Sequence, residues 1–278
     1  MLIFTTKNEL QKHLATLSGT IGFVPTMGAL HSGHLSLMEK SLAETDITVM
    51  SIFINPTQFD NKDDLAKYPK TLEKDIEIMK TLSDKIIVYA PEVSDIYGDN
   101  VNSDKFDYDG IEFEMEGKHR IGHFDGVGTV VKRLFEIVGC NKSYFGEKDF
   151  QQLQIVTKMV QKANMPVEII PCPVFRESNG LAMSSRNIRL SIEEKEKASL
   201  IYKTLQEAKR LFETQNSIEI SKFVAGVFEN HPMFRLEYFE IADETTLKTC
   251  IEKQQGQKYR GFIAVFCGSV RLIDTLGF

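Results

Sequence analysis

Short runs of β-branched and aromatic residues alternate with amphipathic stretches through the first two thirds of the chain. The apolar runs are Ile21 to Val24, Ile47 to Ile54, Ile86 to Tyr89 and Val167 to Ile170. Their near-continuous apolar character predicts strands buried on both faces. Between them, Ser32 to Ala43, Leu72 to Leu82, Val127 to Val138 and Phe150 to Ala163 carry apolar residues at helical spacing. In the last of these, Leu153, Val156, Val160 and Ala163 recur every three or four residues, the stripe of a helix laid against a core. Strands and helices alternating in this way predict a doubly wound α/β domain on a parallel sheet.

Near residue 175 the texture changes. ESNGLAMSSRN is polar and contains glycine, and Ser191 with Glu194 has capping-box spacing ahead of a helix expected to reach Phe212. RLEYFEIA, FIAVF and VRLID predict strands, with a helical pattern from Ser217 to Asn230 before them. Two domains are expected, residues 1–175 and a smaller α/β domain over residues 176–278. The length of 278 residues agrees. Single cores commonly stop growing near ~250 residues.

Composition narrows the partners. Lys and Arg total 33 against 39 Asp and Glu, a net charge of −6, with none of the basic excess that marks nucleic-acid binding. No apolar run approaches the ~18–20 residues that span a bilayer. The opening MLIFTTKNELQKHL has too short an apolar stretch for a secretory signal. Cys140, Cys172, Cys250 and Cys267 are dispersed with no CxxC pair, which predicts buried thiols and a cytoplasmic location.

Five stretches carry candidate chemistry. In GFVPTMGALHSGHLSLMEKS, a strand ends at Pro25, a glycine turn follows, and a helix is expected from about Gly33, with His31 and His34 three apart. Loops beyond the carboxyl ends of parallel strands bind ligands, and helix starts favour phosphate. The two imidazoles could donate to phosphate oxygens. A surface or capping role, or HxxH zinc ligation lacking an assigned third ligand, would use the same residues. The stretch is neither a Walker loop nor a GxGxxG turn. In SYFGEKDFQQLQ, a strand leads to Gly146, then Glu147, Lys148 and Asp149 open a helix. Lys148 is a point charge for phosphate, and Gln151 and Gln152 could bond a polar substrate. The bland alternative is macrodipole complementarity. LAMSSRN offers Ser184, Ser185 and Arg186 on a loop suited to gripping a polyphosphate, or simply a loop beside a helix cap. SIFINPTQF runs from a strand into Asn55 and Gln58, whose amides can read carboxylate or hydroxyl groups. GKHRIGHFDGV is a basic patch in acidic surroundings.

In this order and spacing, the five stretches resemble the pantothenate synthetase (pantoate–β-alanine ligase) family of HIGH-type nucleotidyltransferases. PTMGALHSGH matches its HIGH-type motif, FINPTQF, RIGHFDGV and YFGEKDFQQL its further blocks, and LAMSSRN its counterpart of the KMSKS loop. The resemblance runs from about Phe23 to Asp274 and implies a Rossmann-like N-terminal domain, a smaller C-terminal lid domain and a homodimer. It implies that ATP, pantoate and β-alanine give AMP, pyrophosphate and pantothenate through a pantoyl adenylate, with Mg2+. Met27, Gly28, Ala29, Leu30, His31, Ser32, Gly33 and His34 would hold ATP, with His34 in the place of the proton donor. Gly146, Glu147, Lys148 and Asp149 would also bind ATP, as would Phe175 through its backbone and Met183, Ser184, Ser185 and Arg186 as a closing loop. His31, His34, Lys148 and Arg186 would carry catalysis. Gln58, Gln152, Asn55, Arg120 and His123 would serve the pantoate pocket, Gln58 near β-alanine. Phe175, Ile121 and Lys70 depart from the usual Val, Pro and Arg, and IYGDN lacks a common Pro.

Overall fold

The computed structural model describes residues 1–59, 65–66 and 68–278. They form two compact units: Met1–Gly146 with Gln151–Cys172, and Glu147–Phe150 with Pro173–Phe278.

The first unit is a six-stranded parallel sheet: β1 (Leu2–Phe4), β2 (Ile21–Thr26), β3 (Ile47–Ile52), β4 (Ile87–Tyr89), β5 (Lys142–Gly146) and β6 (Glu168–Cys172). Its spatial order is β1-β4-β3-β2-β5-β6, every pair parallel. The helices are α1 (Lys7–Leu14), α2 (Ser32–Glu44), α3 (Leu72–Leu82), α4 (Val93–Tyr97), α5 (Glu116–His119), α6 (His123–Val138) and α7 (Phe150–Lys162), the last starting in the second unit. Phe23, Val24, Val49, Met50 and Val88 are fully buried, as expected for strands covered on both faces. Pro171 is tolerated because β6 is an edge strand.

Strand order reverses at β2, with β3 on one side and β5 on the other. This is the switch point at which open α/β sheets bind ligands beyond their strand carboxyl ends. The loop of His31 and His34 leaves β2, and the chain of Lys148 leaves β5.

The second unit carries α8 (Ile192–Lys197), α9 (Ser199–Phe212), α10 (Ser217–Phe228) and an antiparallel sheet of β7 (Phe234–Asp243), β8 (Tyr259–Cys267) and β9 (Val270–Gly277). Ile201, Leu205 and Ala208 of α9 join Val224, Ile263 and Val265 in its core. The single long helix expected after Ser191 is divided. Its capping box forms, but a tightened turn at the fully buried Ala198 starts a new helix, with Ile201 N–H donating to the Ala198 carbonyl at 3.1 Å.

Candidate functional site

The loop after β2 is held from inside the protein. Gly28 and Ala29 both have left-handed backbones, φ 84° and 52°. A Cβ on Gly28 would come within 3.0 Å of Asp75 Oδ2 and 3.1 Å of Ile52, so glycine is required there on two counts. Ala29 N–H donates to Asp75 Oδ2 at 3.0 Å and Leu30 N–H to Asp75 Oδ1 at 2.8 Å. These two N–H groups are therefore turned toward a buried carboxylate.

α2 begins at Ser32, where the helical spacing of Ser32 to Ala43 places it, with His31 as its N-cap. Gly33 N–H donates to His31 Nδ1 at 3.2 Å, and His31 N–H donates to His34 Nδ1 at 3.3 Å, a capping box made of two histidines. Their rings lie 4.0 Å apart. The capping and phosphate roles are thus compatible. In a neutral imidazole whose Nδ1 accepts a hydrogen bond, the proton is on Nε2. Each ring then offers Nε2–H as a donor, polarised through Nδ1 by the helix start. Ser32 is exposed at this turn, and Gly33 and His34 are half-buried.

The loop after β3 meets the first through Gln58, whose Nε2 donates to Met27 Sδ at 2.9 Å. Asn55 Nδ2 donates to Gln58 Oε1 and to the Gly126 carbonyl, both at 3.1 Å. Asn55 Oδ1 accepts from Tyr97 Oη at 2.6 Å and from the Thr57 N–H at 3.3 Å. Asn55 is buried, so this candidate for substrate contact faces inward and holds Gln58. The Gln58 carbonyl accepts from Arg120 Nη2 at 3.1 Å and His123 Nδ1 at 3.0 Å, and Arg120 Nη1 donates to His123 Nε2 at 3.1 Å. Met27, Asn55, Gln58, Arg120 and His123, scattered in the chain, form one cluster.

After β5, Glu147–Asp149 form a turn of 3-10 helix before α7 rather than opening the α-helix itself. Lys148 is mostly buried beside the more exposed Asp149, 3.9 Å away. Glu147 is paired with Arg260 at 3.3 Å, and Arg260 also bonds Glu244 at 2.9 Å and lies over the Phe150 ring. Gln152 is half-buried on α7. Gln151 is not available to substrate: it is buried, Nε2 donates to the carbonyls of Ile111 and Glu114, and Oε1 accepts from Glu116 N–H.

In the second unit, Met183 N–H donates to the Phe175 carbonyl at 2.9 Å, tying that backbone to the serine loop. Ser184 caps a 3-10 turn, Ser185–Arg189, and accepts from Arg186 N–H at 3.2 Å. Arg186 is exposed and Ser185 half-buried. The loop is anchored by Arg176, whose guanidinium grips Asp274 at 2.6 and 2.9 Å and stacks on Tyr202.

The family model for pantoate-beta-alanine ligase matches residues 2–277. The chain belongs to the pantoate-beta-alanine ligase family. A pantothenate synthetase of Flavobacterium psychrophilum is 58% identical over 99% of both chains. That of Bacteroides fragilis is 44% identical over 99% of this chain and 98% of its own. Among solved structures, the pantothenate synthetase of Thermus thermophilus is 36% identical over 99% of both chains, with a TM-score of 0.89. The pantoate-beta-alanine ligase of Francisella tularensis, solved with beta-gamma ATP and beta-alanine, is 34% identical with a TM-score of 0.79, over 100% of this chain and 97% of that one.

Among the departures from this family's usual motifs, Ile121 is 91% exposed and Phe175 is also exposed, so neither change disturbs a core. Two residues escaped the reading of the motifs, Asp75 and Arg260. Each is nearly buried and acts on a motif distant in sequence, so local spacing carries no signal for them.

Proposed function

We infer that this chain condenses pantoate with β-alanine at the expense of ATP, releasing AMP and pyrophosphate through a pantoyl adenylate. The observation that carries this is end-to-end similarity, 58% identity over 99% of both chains, to a pantothenate synthetase. The chemistry explains the residue types. A carboxylate is a poor acyl donor, so the pantoate oxygen first attacks the α-phosphorus; the O–P bond forms as the bond to pyrophosphate breaks. The neutral amine of β-alanine then attacks the acyl carbon, loses a proton, and AMP leaves.

Two anions meet in the first step, so preorganised donors must offset their charge. In our reading Lys148, Arg186 and the Nε2–H groups of His31 and His34 share that task, with ATP along Met27 to His34 and Gly146 to Asp149. Gln58 and Gln152 hold pantoate, and Arg120 and His123 hold the Gln58 carbonyl. Phe175 and Met183 to Arg186 cover the nucleotide as part of a lid, keeping water from the reactive anhydride. Mg2+ fits as a companion of the triphosphate. Among the described residues no group of three or more His, Cys, Asp or Glu forms a metal cage, and Mg2+ typically uses one or two carboxylates plus substrate phosphates. Asp149, half exposed beside Lys148, is the suited carboxylate, and the ion would offset phosphate charge.

A homodimer and a cytoplasmic setting complete the proposal. The first is supported by Ile121 and Phe113, large apolar side chains left in solvent, and the second by four buried free cysteines. Among the described residues no helix is long and apolar enough to cross a membrane. Pyrophosphate and AMP release, measured with each substrate omitted in turn, tests the function. Pyrophosphate should require ATP and pantoate, and pantothenate should require all three; AMP formation indifferent to pantoate would sink the reading.

A further inference from the structure

Asp75 lies on α3, 1% exposed, and belongs to none of the motifs. Its two oxygens accept from the consecutive backbone N–H groups of Ala29 and Leu30 at 3.0 and 2.8 Å. Thr71 completes the arrangement: its Oγ1 donates to Asp75 Oδ2 at 3.0 Å and accepts from Ala29 N–H at 3.2 Å. Successive N–H groups converging on one point make an anion-binding nest. Here the anion is part of the protein. The nest forms where two successive residues, Gly28 and Ala29, hold left-handed backbones, a conformation that a residue with a Cβ seldom keeps unless its surroundings impose it.

One residue beyond Leu30 comes His31, the cap of α2 and partner of His34. Whatever fixes the backbone at Ala29 and Leu30 therefore fixes where the two imidazoles enter the helix start. We propose that Asp75, supported by Thr71, is a positioning residue for the ligase reaction: its carboxylate fills the nest of the β2 loop and sets the aim of His31 and His34 before ATP arrives. It touches neither substrate nor reacting atoms. The proposal rests on the ligase reading above.

Asp75→Asn tests it directly, because the amide keeps the shape but places an NH2 donor against a backbone donor. In the full chain, ATP-dependent adenylate formation should fall roughly 10-fold or more, through KM for ATP, turnover or both, as expected when reacting groups are misplaced by a fraction of an ångström to an ångström. Pantoate affinity should be unchanged, since the Gln58 cluster does not use Asp75. Thr71→Val should show the same ATP-selective pattern to a smaller degree, and Thr71→Ser should restore it. A folded Asp75→Asn chain with wild-type ATP kinetics overturns the proposal, as does an equal fall in ATP and pantoate affinity, which would mean a general structural role. If Asp75→Asn does not fold, wild-type ATP kinetics in Thr71→Val overturn it. An inactive wild-type chain would instead bring down the ligase reading and this proposal with it, whereas an active wild type beside an indifferent Asp75→Asn removes this proposal alone.

Discussion

His31 and His34 cap one another: the N–H of His31 donates to His34 Nδ1, while His31 Nδ1 accepts from Gly33 N–H. Capping and donation to substrate can therefore be separated by substitution. Glutamine at the third helical position can still reach back to the cap N–H, but it lacks the imidazole Nε2–H. His34→Gln should keep a thermal midpoint near wild type while adenylate formation falls about 10²-fold, the usual cost of one lost donor to developing charge. His34→Ala should lose the same rate and about 1 kcal/mol of stability as well. Pyrophosphate release and thermal unfolding of both variants check the split; equal rates in wild type and His34→Gln would remove His34 from the reaction.

Lys148 sits on the short turn that follows β5, partly buried beside Asp149. Its ammonium would face the phosphates as a point charge. Lys148→Ala should lower pyrophosphate release by at least ~10²-fold with the fold intact. Near-normal release from a folded variant would refute the assignment.

The motifs were legible because strand ends followed by glycine, histidine or lysine are local signals, and the alternation of apolar runs and helical stripes marked the sheet. What escaped depends on contacts far apart in sequence. Asp75 reaches back 45 residues to Leu30. Gln151 looks like a substrate amide in the sequence, but burial and backbone partners turn it into a loop fastener. The turn at Ala198 has no glycine or proline to announce it, since it is packing of a fully buried alanine that accompanies the break. α1 is different, because its start carries a local signal: Thr6 and Glu9 stand at capping spacing, and Thr6 accepts from Glu9 N–H.

Gly126 lies where α6 crosses the turn of Gln58. A Cβ there would fall 2.5 Å from the Thr57 carbonyl oxygen, which is backbone and cannot swing aside. Gly126→Ala should destabilise by about 1–3 kcal/mol through overpacking and weaken pantoate binding by displacing Gln58. Gln58→Ala and Gln152→Ala should weaken pantoate by ~1–3 kcal/mol for an amide hydrogen bond, and Gln58→Ala should also lose some stability because buried Asn55 Nδ2 gives up an acceptor. Pantoate titration beside thermal unfolding separates the cases. Unchanged affinity in both glutamine variants would move the pocket elsewhere.

The serine loop hangs from an ion pair that water barely reaches: Asp274 is 4% exposed and gripped through two nitrogens of Arg176. Replacing Arg176 by alanine leaves that carboxylate buried without its cation, a change that typically costs ~3–5 kcal/mol. Burial alone already pushes the Asp274 carboxyl up, so once the opposing guanidinium is gone the acid should be taken up in its protonated form. A folded-state pKa raised above the unfolded value favours the folded state below the unfolded pKa, and that contribution is lost as pH rises toward the folded one. Arg176→Ala should therefore lose more stability at neutral pH than at mildly acidic pH, relative to wild type at each. Denaturant titrations of both chains across that range provide the check, and a deficit independent of pH would show that Asp274 stays ionised without its partner.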